Sequence, residues 1–218
     1  MARQPVLERR IGHRFQDPAL LAQALTHRSF GSPHNERLEF LGDSVLGCAV
    51  TELLFQRHPE LPEGKLSRMR AGLIREESLA RIARELGIAA FLRLDESTAR
   101  NEGAERPSIL ADALEAVYGA VFLDGGYGAA RDVIARTFGT ALSQLDPESV
   151  EKDAKTRLQE YLQAKRRAKP RYRVVSTSGA KQSLTFEVEC AIDDPDLKAT
   201  GSGSSRQRAE QQAAGNLL

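Results

Sequence analysis

The chain has 218 residues, 41% hydrophobic and 28% charged, with a formal net charge of +1. These are the proportions of an ordinary soluble globular protein with room for one large domain or two small ones. No apolar run approaches the roughly 20 residues of a membrane span, and the opening MARQPVLERR has no apolar core of the kind a secretory signal carries. Cys48 and Cys190 fit neither a zinc spacing nor a disulfide framework, so a reducing, cytoplasmic setting is expected.

The first 145 residues read as helices. Asp17-Pro18 has the form of an N-cap followed by proline at the first helical position. Residues 36–56 make a long, mostly apolar helix that stops before Pro59. Residues 65–86 alternate apolar and charged groups at helical spacing up to Gly87. Residues 108–123 are almost wholly apolar, Gly125-Gly126 ends them, and 128–145 make a further amphipathic helix. No valine- or isoleucine-rich alternating strand is evident here.

The composition changes after Leu145. A polar connector (146–152) leads to a basic amphipathic helix over 153–168, closed by Lys169-Pro170. Residues 171–177 and 183–191 alternate as strands do, with Gly179 in the loop between them, and 196–201 suits a third strand. A final helix covers 205–218. The expected architecture is therefore a mainly α domain over 1–145 and a small α+β domain of order α-β-β-β-α over 153–218.

Charge divides along the same line. Residues 1–145 hold 18 basic and 19 acidic side chains, while 152–181 alone hold 10 basic and 2 acidic. So dense a basic stretch favours a polyanion, because each neutralised phosphate releases a counterion. A solvated helix face is the plainer reading of the same charges.

Acidic residues in the first part form a second pattern. On a helix, Glu36, Glu39 and Asp43 fall at i, i+3 and i+7 and share one stripe, with Leu38, Leu41 and Val45 on another. In Ile109–Leu123 the charged residues are Asp112 and Glu115, at i and i+3, with no Lys or Arg to pair with them. Carboxylates are rarely buried unless paired or bound to metal. If the two faces meet, carboxylates about 5 Å apart repel by roughly 3 kcal/mol per pair at an effective dielectric near 20. Four would need a counter-charge. Oxygen ligands without a Cys or His cluster suit Mg²⁺ or Mn²⁺, and the arrangement suits metal-assisted phosphodiester hydrolysis.

Asn35–Leu46 (NERLEFLGDSVL) resembles the signature segment of the ribonuclease III catalytic domain, and Arg106–Ala116 (RPSILADALEA) resembles its second block. Thr26–Ser29 and Pro62–Ser67 are similar to further family positions in the same order. The resemblance implies that Glu39, Asp43, Asp112 and Glu115 bind the catalytic metal. Glu115 would be a principal ligand, and Asp43 matches the position essential for cleavage. Glu36 and Glu63 match auxiliary positions that assist RNA contact or subunit pairing. The loop ESTARNEGAERP lacks the usual Gly-Gly pair, which puts its shape in question.

The second domain resembles a double-stranded-RNA-binding domain in element order and at Asp153–Glu160, Pro170–Tyr172, Phe186–Val188 and Gly201–Glu210. Such domains read A-form shape through 2′-hydroxyls and phosphates. Thr156, Gln159 and Glu160 offer partners for 2′-hydroxyls. Ser205 and Arg206 sit at a helix N-terminus that favours phosphate. Gln182 stands where His is usual and Gln207 where a second Lys is usual, with Arg208 in a position to compensate. RNA binding is expected to be retained but weaker or altered in its groove contacts.

The resemblance therefore implies a Mg²⁺-dependent endoribonuclease, with Mn²⁺ able to substitute. It would cut double-stranded RNA to 5′-phosphate and 3′-hydroxyl ends with short 3′ overhangs. A homodimer would supply one site per strand, with the apolar surface around Phe40 and Leu41 available for pairing. Processing of ribosomal RNA precursors and of some messenger and transfer RNA transcripts is the family expectation. His13, His27, His34 and His58 read as structural, none having a partner at triad spacing. A duplex-RNA-binding protein without catalysis, and a metal enzyme acting on a small phosphorylated substrate, are the competing readings.

Overall fold

The computed structural model describes residues 4–147, 154–179, 184–193 and 195–218. The chain divides into two compact units, residues 1–150 and 151–218. No described helix is long and apolar enough to cross a membrane.

The first unit is helical: α1 (Gln4–Ile11), α2 (Pro18–Ala24), α3 (Glu36–Arg57), α4 (Glu63–Leu73), α5 (Glu76–Leu86), α6 (Glu96–Arg100), α7 (Pro107–Thr137) and α8 (Gly139–Ser143), with 3₁₀ turns at Ile88–Phe91 and Gly103–Glu105. The Asp17 side chain caps α2 by accepting from the Ala19 N–H at 2.9 Å, with Pro18 beginning the helix. The centre of the unit is α7 packed along α3, with α5 and α2 against other sides of α7. From Ile109 to Val121 every residue of α7 is buried except Asp112 and Glu115, which are half-buried. A helix apolar all round has to be enclosed by others, so these two carboxylates sit at one open strip of a covered helix.

Glycines set the distance between α3 and α7. A β-carbon on Gly42 would lie 1.8 Å from the Glu115 carbonyl oxygen, and one on Gly119 would lie 2.2 Å from the Leu38 carbonyl oxygen. The two backbones touch there, which only glycine allows. Glu39 and Asp43 on one side and Asp112 and Glu115 on the other flank this crossing.

Two helical expectations are corrected. The segment 65–86 is two helices, broken at Ile74 and Arg75, where Arg75 is extended (φ −68°, ψ 152°). The break turns one apolar stripe into two: Met69 and Leu73 on α4, and Leu79, Ala80, Ile82 and Ala83 on α5. It is held by the Ser78 hydroxyl donating to the Gly72 carbonyl at 3.0 Å. The stretch 107–137 is a single run kinked at Gly126 (φ 74°, ψ −176°), and the helix expected over 128–145 stops at Phe138 before the short α8. Asp124, just before the kink, accepts from the Gln16 and Asp17 N–H groups and lies 2.8 Å from His13 Nε2, tying the N-terminal segment to α7.

The second unit contains α9 (Ala154–Ala164), β1 (Arg171–Ser178), β2 (Thr185–Asp193), β3 (Asp196–Gly203) and α10 (Arg206–Gly215). The sheet is antiparallel in the order β1-β2-β3, with a bulge at Val175. α10 lies on β2 and β3, and α9 packs against α10. The core joins Leu158, Leu162, Cys190, Ile192, Ala213 and Ala214. α9 is shorter than the helix expected over 153–168, because the chain turns at Arg166 (φ 55°).

Candidate metal centre and RNA-binding surface

α3 presents Glu39 and α7 presents Asp112 and Glu115, and a carboxylate oxygen from each lies within 4.8 Å of the others. Asp43 stands one turn beyond Glu39 on α3 and is exposed. It remains close enough that its charge acts on Glu115 more strongly than any other carboxylate does. Among the described residues no Lys or Arg forms an ion pair with any of the four.

The electrostatics follow from this geometry. Burial, then the charges of Asp43, Glu39 and Asp112, push the Glu115 carboxyl up to about 8. Burial and the Asp112 charge raise Glu39, while burial and the charge of Glu76 raise Asp112. A cluster of oxygen donors that strains to stay ionised fits a hard divalent cation, which would supply the missing positive charge.

A pH dependence is built into this arrangement. The folded-state pKa of Glu115 lies above its ordinary value of 4.5. The folded protein therefore keeps a proton that the unfolded chain releases. The contribution of Glu115 to metal-free stability is full below about pH 4.5 and is lost as pH rises through about 8. In metal-free buffer the melting temperature of Glu115→Gln should fall less than that of wild type between about pH 5 and about pH 9. The stabilisation of wild type by added Mg²⁺ should grow over the same range. Thermal scans at several pH values, with EDTA and with Mg²⁺, check both.

Of the other acidic candidates, Glu36 lines one cavity with Glu39 and Asp112 without joining the three-carboxylate cluster, and Glu63 lies apart from it. Glu36 is exposed, pairs with Arg28 at 3.2 Å, and lies 3.8 Å from His34 Nδ1. Glu63 begins α4, accepts from the Ser67 hydroxyl at 2.6 Å, and lines a cavity with Thr51, Leu54 and Phe55. Thr51 is eight residues beyond Asp43 on α3, about 12 Å along the axis at 1.5 Å per residue. Within one chain Glu63 therefore does not join the cluster. In the loop without the Gly-Gly pair, Glu102 takes the left-handed conformation (φ 54°) that glycine would adopt more easily.

Beside the carboxylates is a cavity of about 490 Å³ lined by His27, Arg28, Asn35, Thr98, Arg106 and Ser108, with Glu36, Glu39, Ile109 and Asp112. From sequence, His27 reads as structural, and Asn35 and Arg106 have no role beyond their place in motifs. Their spacing gives no sign that they meet; only their positions at the starts of the two acidic helices do. His27 sits 2.9 Å from the Ser29 hydroxyl through Nδ1, and burial and the Arg28 charge lower its pKa.

In the second unit Gln159 and Glu160 are exposed and Thr156 half-buried on α9, which buries Leu158 and Leu162. Ser205 caps α10 by accepting from the Arg208 N–H at 3.3 Å. Arg206 does not point freely outward: its Nε donates to Glu210 at 2.8 Å, and Lys155 pairs with the same carboxylate. Arg208 donates to the Ser204 hydroxyl at 3.3 Å and Gln207 is exposed. Gln182 lies outside the described residues.

Comparison with known proteins gives a consistent picture. Residues 17–142 match the family described as ribonuclease-III-like, and residues 154–218 match the double-stranded RNA binding motif. The chain is 53% identical to ribonuclease 3 of Dechloromonas aromatica over 96% of this chain and 95% of that one. It is 56% identical to ribonuclease 3 of Bordetella avium over 95% of this chain and 83% of the relative. A crystal structure of the nuclease domain of ribonuclease III from Campylobacter jejuni is similar at a TM-score of 0.64 and 42% identity, covering 67% of this chain and all of that one.

Proposed function

The chain belongs to the ribonuclease III family, and from that membership we propose that it is a divalent-metal-dependent endonuclease cutting double-stranded RNA. Residues 1–145 form the nuclease domain, 146–152 the linker and 153–218 the duplex-binding domain. The observation that carries the reading is the meeting of Glu39, Asp112 and Glu115, from two buried helices, without an ion pair to Lys or Arg among the described residues.

Glu39, Asp43, Asp112 and Glu115 hold the cation, Mg²⁺ in the cell with Mn²⁺ able to replace it. When bound, the cation supplies Lewis acidity, which acidifies water and offsets charge on the phosphodiester. To hold a cation Glu115 would have to give up its proton, so metal affinity should rise with pH. Asp43, one turn beyond Glu39 and exposed, is open to an incoming substrate. Hydrolysis leaves a 5′-phosphate and a 3′-hydroxyl. Glu36, through its pairing with Arg28, and Glu63 serve as auxiliary groups for RNA contact or subunit pairing.

Two sites are needed to cut both strands, and a two-fold homodimer provides them, with the offset between sites leaving short 3′ overhangs. Support for pairing comes from Phe40, which is 80% exposed on α3 beside a groove lined by Leu20, Leu41 and Leu123. An aromatic side chain left so open on a mostly apolar groove marks an interaction surface. Thr156, Gln159 and Glu160 on α9, Gln182, and Ser205, Arg206, Gln207 and Arg208 at the start of α10 carry RNA contact. The substrates are precursors of ribosomal RNA and some messenger and transfer RNA transcripts.

The test is a cleavage assay on a duplex RNA and on its separate strands, with Mg²⁺ and with EDTA. Cutting of the duplex only, and only with Mg²⁺, is expected; cutting in EDTA, or binding of duplex without cutting in Mg²⁺, would overturn the reading. Binding should fall steeply with salt, because phosphate contacts dominate it. Removing residues 146–218 should raise KM at least about tenfold while leaving kcat at low salt within a few-fold. Steady-state kinetics of the truncated chain at two salt concentrations measure this.

A further inference from the structure

The cavity beside the carboxylates contains groups that the metal reading does not use. Both long helices of the first unit begin at it: Asn35 is the N-cap of α3, and Arg106 is the N-cap of α7. Neither cap residue makes a side-chain capping hydrogen bond. Pro107 begins α7, leaving the N–H groups of Ser108 and Ile109 without a side-chain cap at the cavity wall. Two helix dipoles therefore turn their positive ends towards one space.

Asn35 is the most telling member. It is 2% exposed, its side chain forms none of the hydrogen bonds found among the described residues, and it lines the cavity. The amide therefore opens to the cavity without a protein partner, and its N–H groups are available to whatever enters it. Arg106, exposed and without an ion pair among the described residues, reaches only the Asn101 carbonyl at 3.5 Å, too far for a strong bond. Ser108 and Thr98 add hydroxyls on the same wall. Three carboxylates share the lining: Glu36 is paired with Arg28 at 3.2 Å, and Glu39 and Asp112 belong to the metal side.

We propose that this cavity is a second phosphate subsite, in which Arg106, the Asn35 amide and the start of α7 hold a backbone phosphate adjoining the one placed at the carboxylates. The subsite rests on the nuclease reading. It explains how an RNA strand is aligned across the metal centre: one phosphate is anchored by donors, and the next lies at the acidic cluster. With a cation on Glu39 and Asp112 the cavity also loses the repulsion that these carboxylates would exert on a phosphate.

Duplex RNA binding by the full chain carrying Glu115→Gln, which leaves the RNA uncut, tests the proposal. Duplexes would each carry one uncharged methylphosphonate at a different position around the cleavage site. In the parent, one position beside the cleaved bond should weaken binding about tenfold. Adding Arg106→Gln should weaken binding to unmodified duplex by a similar factor and lower the slope of log affinity against log salt by about one phosphate. It should also abolish the sensitivity at that one position. Arg106 is exposed, and melting curves verify that the variant folds. Identical methylphosphonate profiles for parent and Arg106→Gln overturn the subsite, whatever happens to the slope. Failure of the parent to bind duplex RNA, or of wild type to cut it, overturns the nuclease reading instead.

Discussion

Replacing Glu115 by Gln is expected to lower duplex cleavage by about a thousandfold or more while leaving RNA affinity within a few-fold. The cation at this site is asked to supply several kcal/mol of transition-state stabilisation, and each 1.36 kcal/mol is about tenfold in rate. The amide keeps the size of the side chain, so the packing of α3 on α7 is untouched. It also removes the group whose carboxyl is pushed up to about 8 by burial and by the charges of Asp43, Glu39 and Asp112. A residue with a purely structural role would lose stability on substitution. This variant should instead melt at or above the wild-type temperature in metal-free buffer above about pH 8. Asp43→Asn should lose cleavage comparably, although Asp43 is exposed and contributes little to packing. Single-turnover cleavage, a binding isotherm and a melting curve for each variant separate the three effects.

Gly42→Ala is expected to unsettle the domain and the metal site together. On an ordinary helix, Gly to Ala gains about 1 kcal/mol. Here the new β-carbon would lie 1.8 Å from the Glu115 carbonyl oxygen. That collision is with backbone and cannot be relieved by a side-chain rotation. It costs about 3 kcal/mol or more, so the collision wins by about 2 kcal/mol. At ~2–4 °C per kcal/mol for a domain of this size, the melting temperature should drop by about 5 °C or more. Forcing α3 from α7 also separates Glu39 from Asp112 and Glu115, so Mg²⁺ should protect the variant less than it protects wild type. Gly47→Ala on the same helix is the control, since a β-carbon there meets nothing within 4 Å. It should leave stability unchanged or raise it by up to about 1 kcal/mol.

The acidic pattern was legible because its two halves are local. Glu39 and Asp43 are neighbours on one helix face, as are Asp112 and Glu115, and helical spacing alone assigns them to those faces. The near-absence of other charge on Ile109–Val121 forecast its burial, which the packing of α3, α5 and α2 around α7 explains. The second unit was readable for a similar reason: alternation marks β1 and β2, and proline and glycine mark their ends.

What the sequence hid depends on contacts between distant segments. The break at Ile74 and Arg75 has no proline or glycine at it, and helical spacing continues on both sides. The two helices it separates bury their own sets, Met69 and Leu73 on α4 and Leu79, Ala80, Ile82 and Ala83 on α5. The contact of Gly42 with Gly119 joins residues far apart in the chain, and a glycine inside an apolar helix is only a weak hint of close approach. The cavity assembles His27, Asn35, Thr98 and Arg106 from four separate stretches. Arg206 looked like a free phosphate ligand at the start of α10, yet it is engaged by Glu210, which Lys155 also holds. Binding of phosphate by Arg206 therefore competes with an existing ion pair.

The central claim is that these carboxylates come together around a divalent cation. Anomalous diffraction from crystals of the full chain soaked in Mn²⁺ tests it directly. A peak bonded to carboxylate oxygens of Glu39, Asp112 and Glu115 is expected, absent from crystals of Glu115→Gln soaked in the same way. A map with no peak between α3 and α7, or with Mn²⁺ bound only elsewhere, would contradict it.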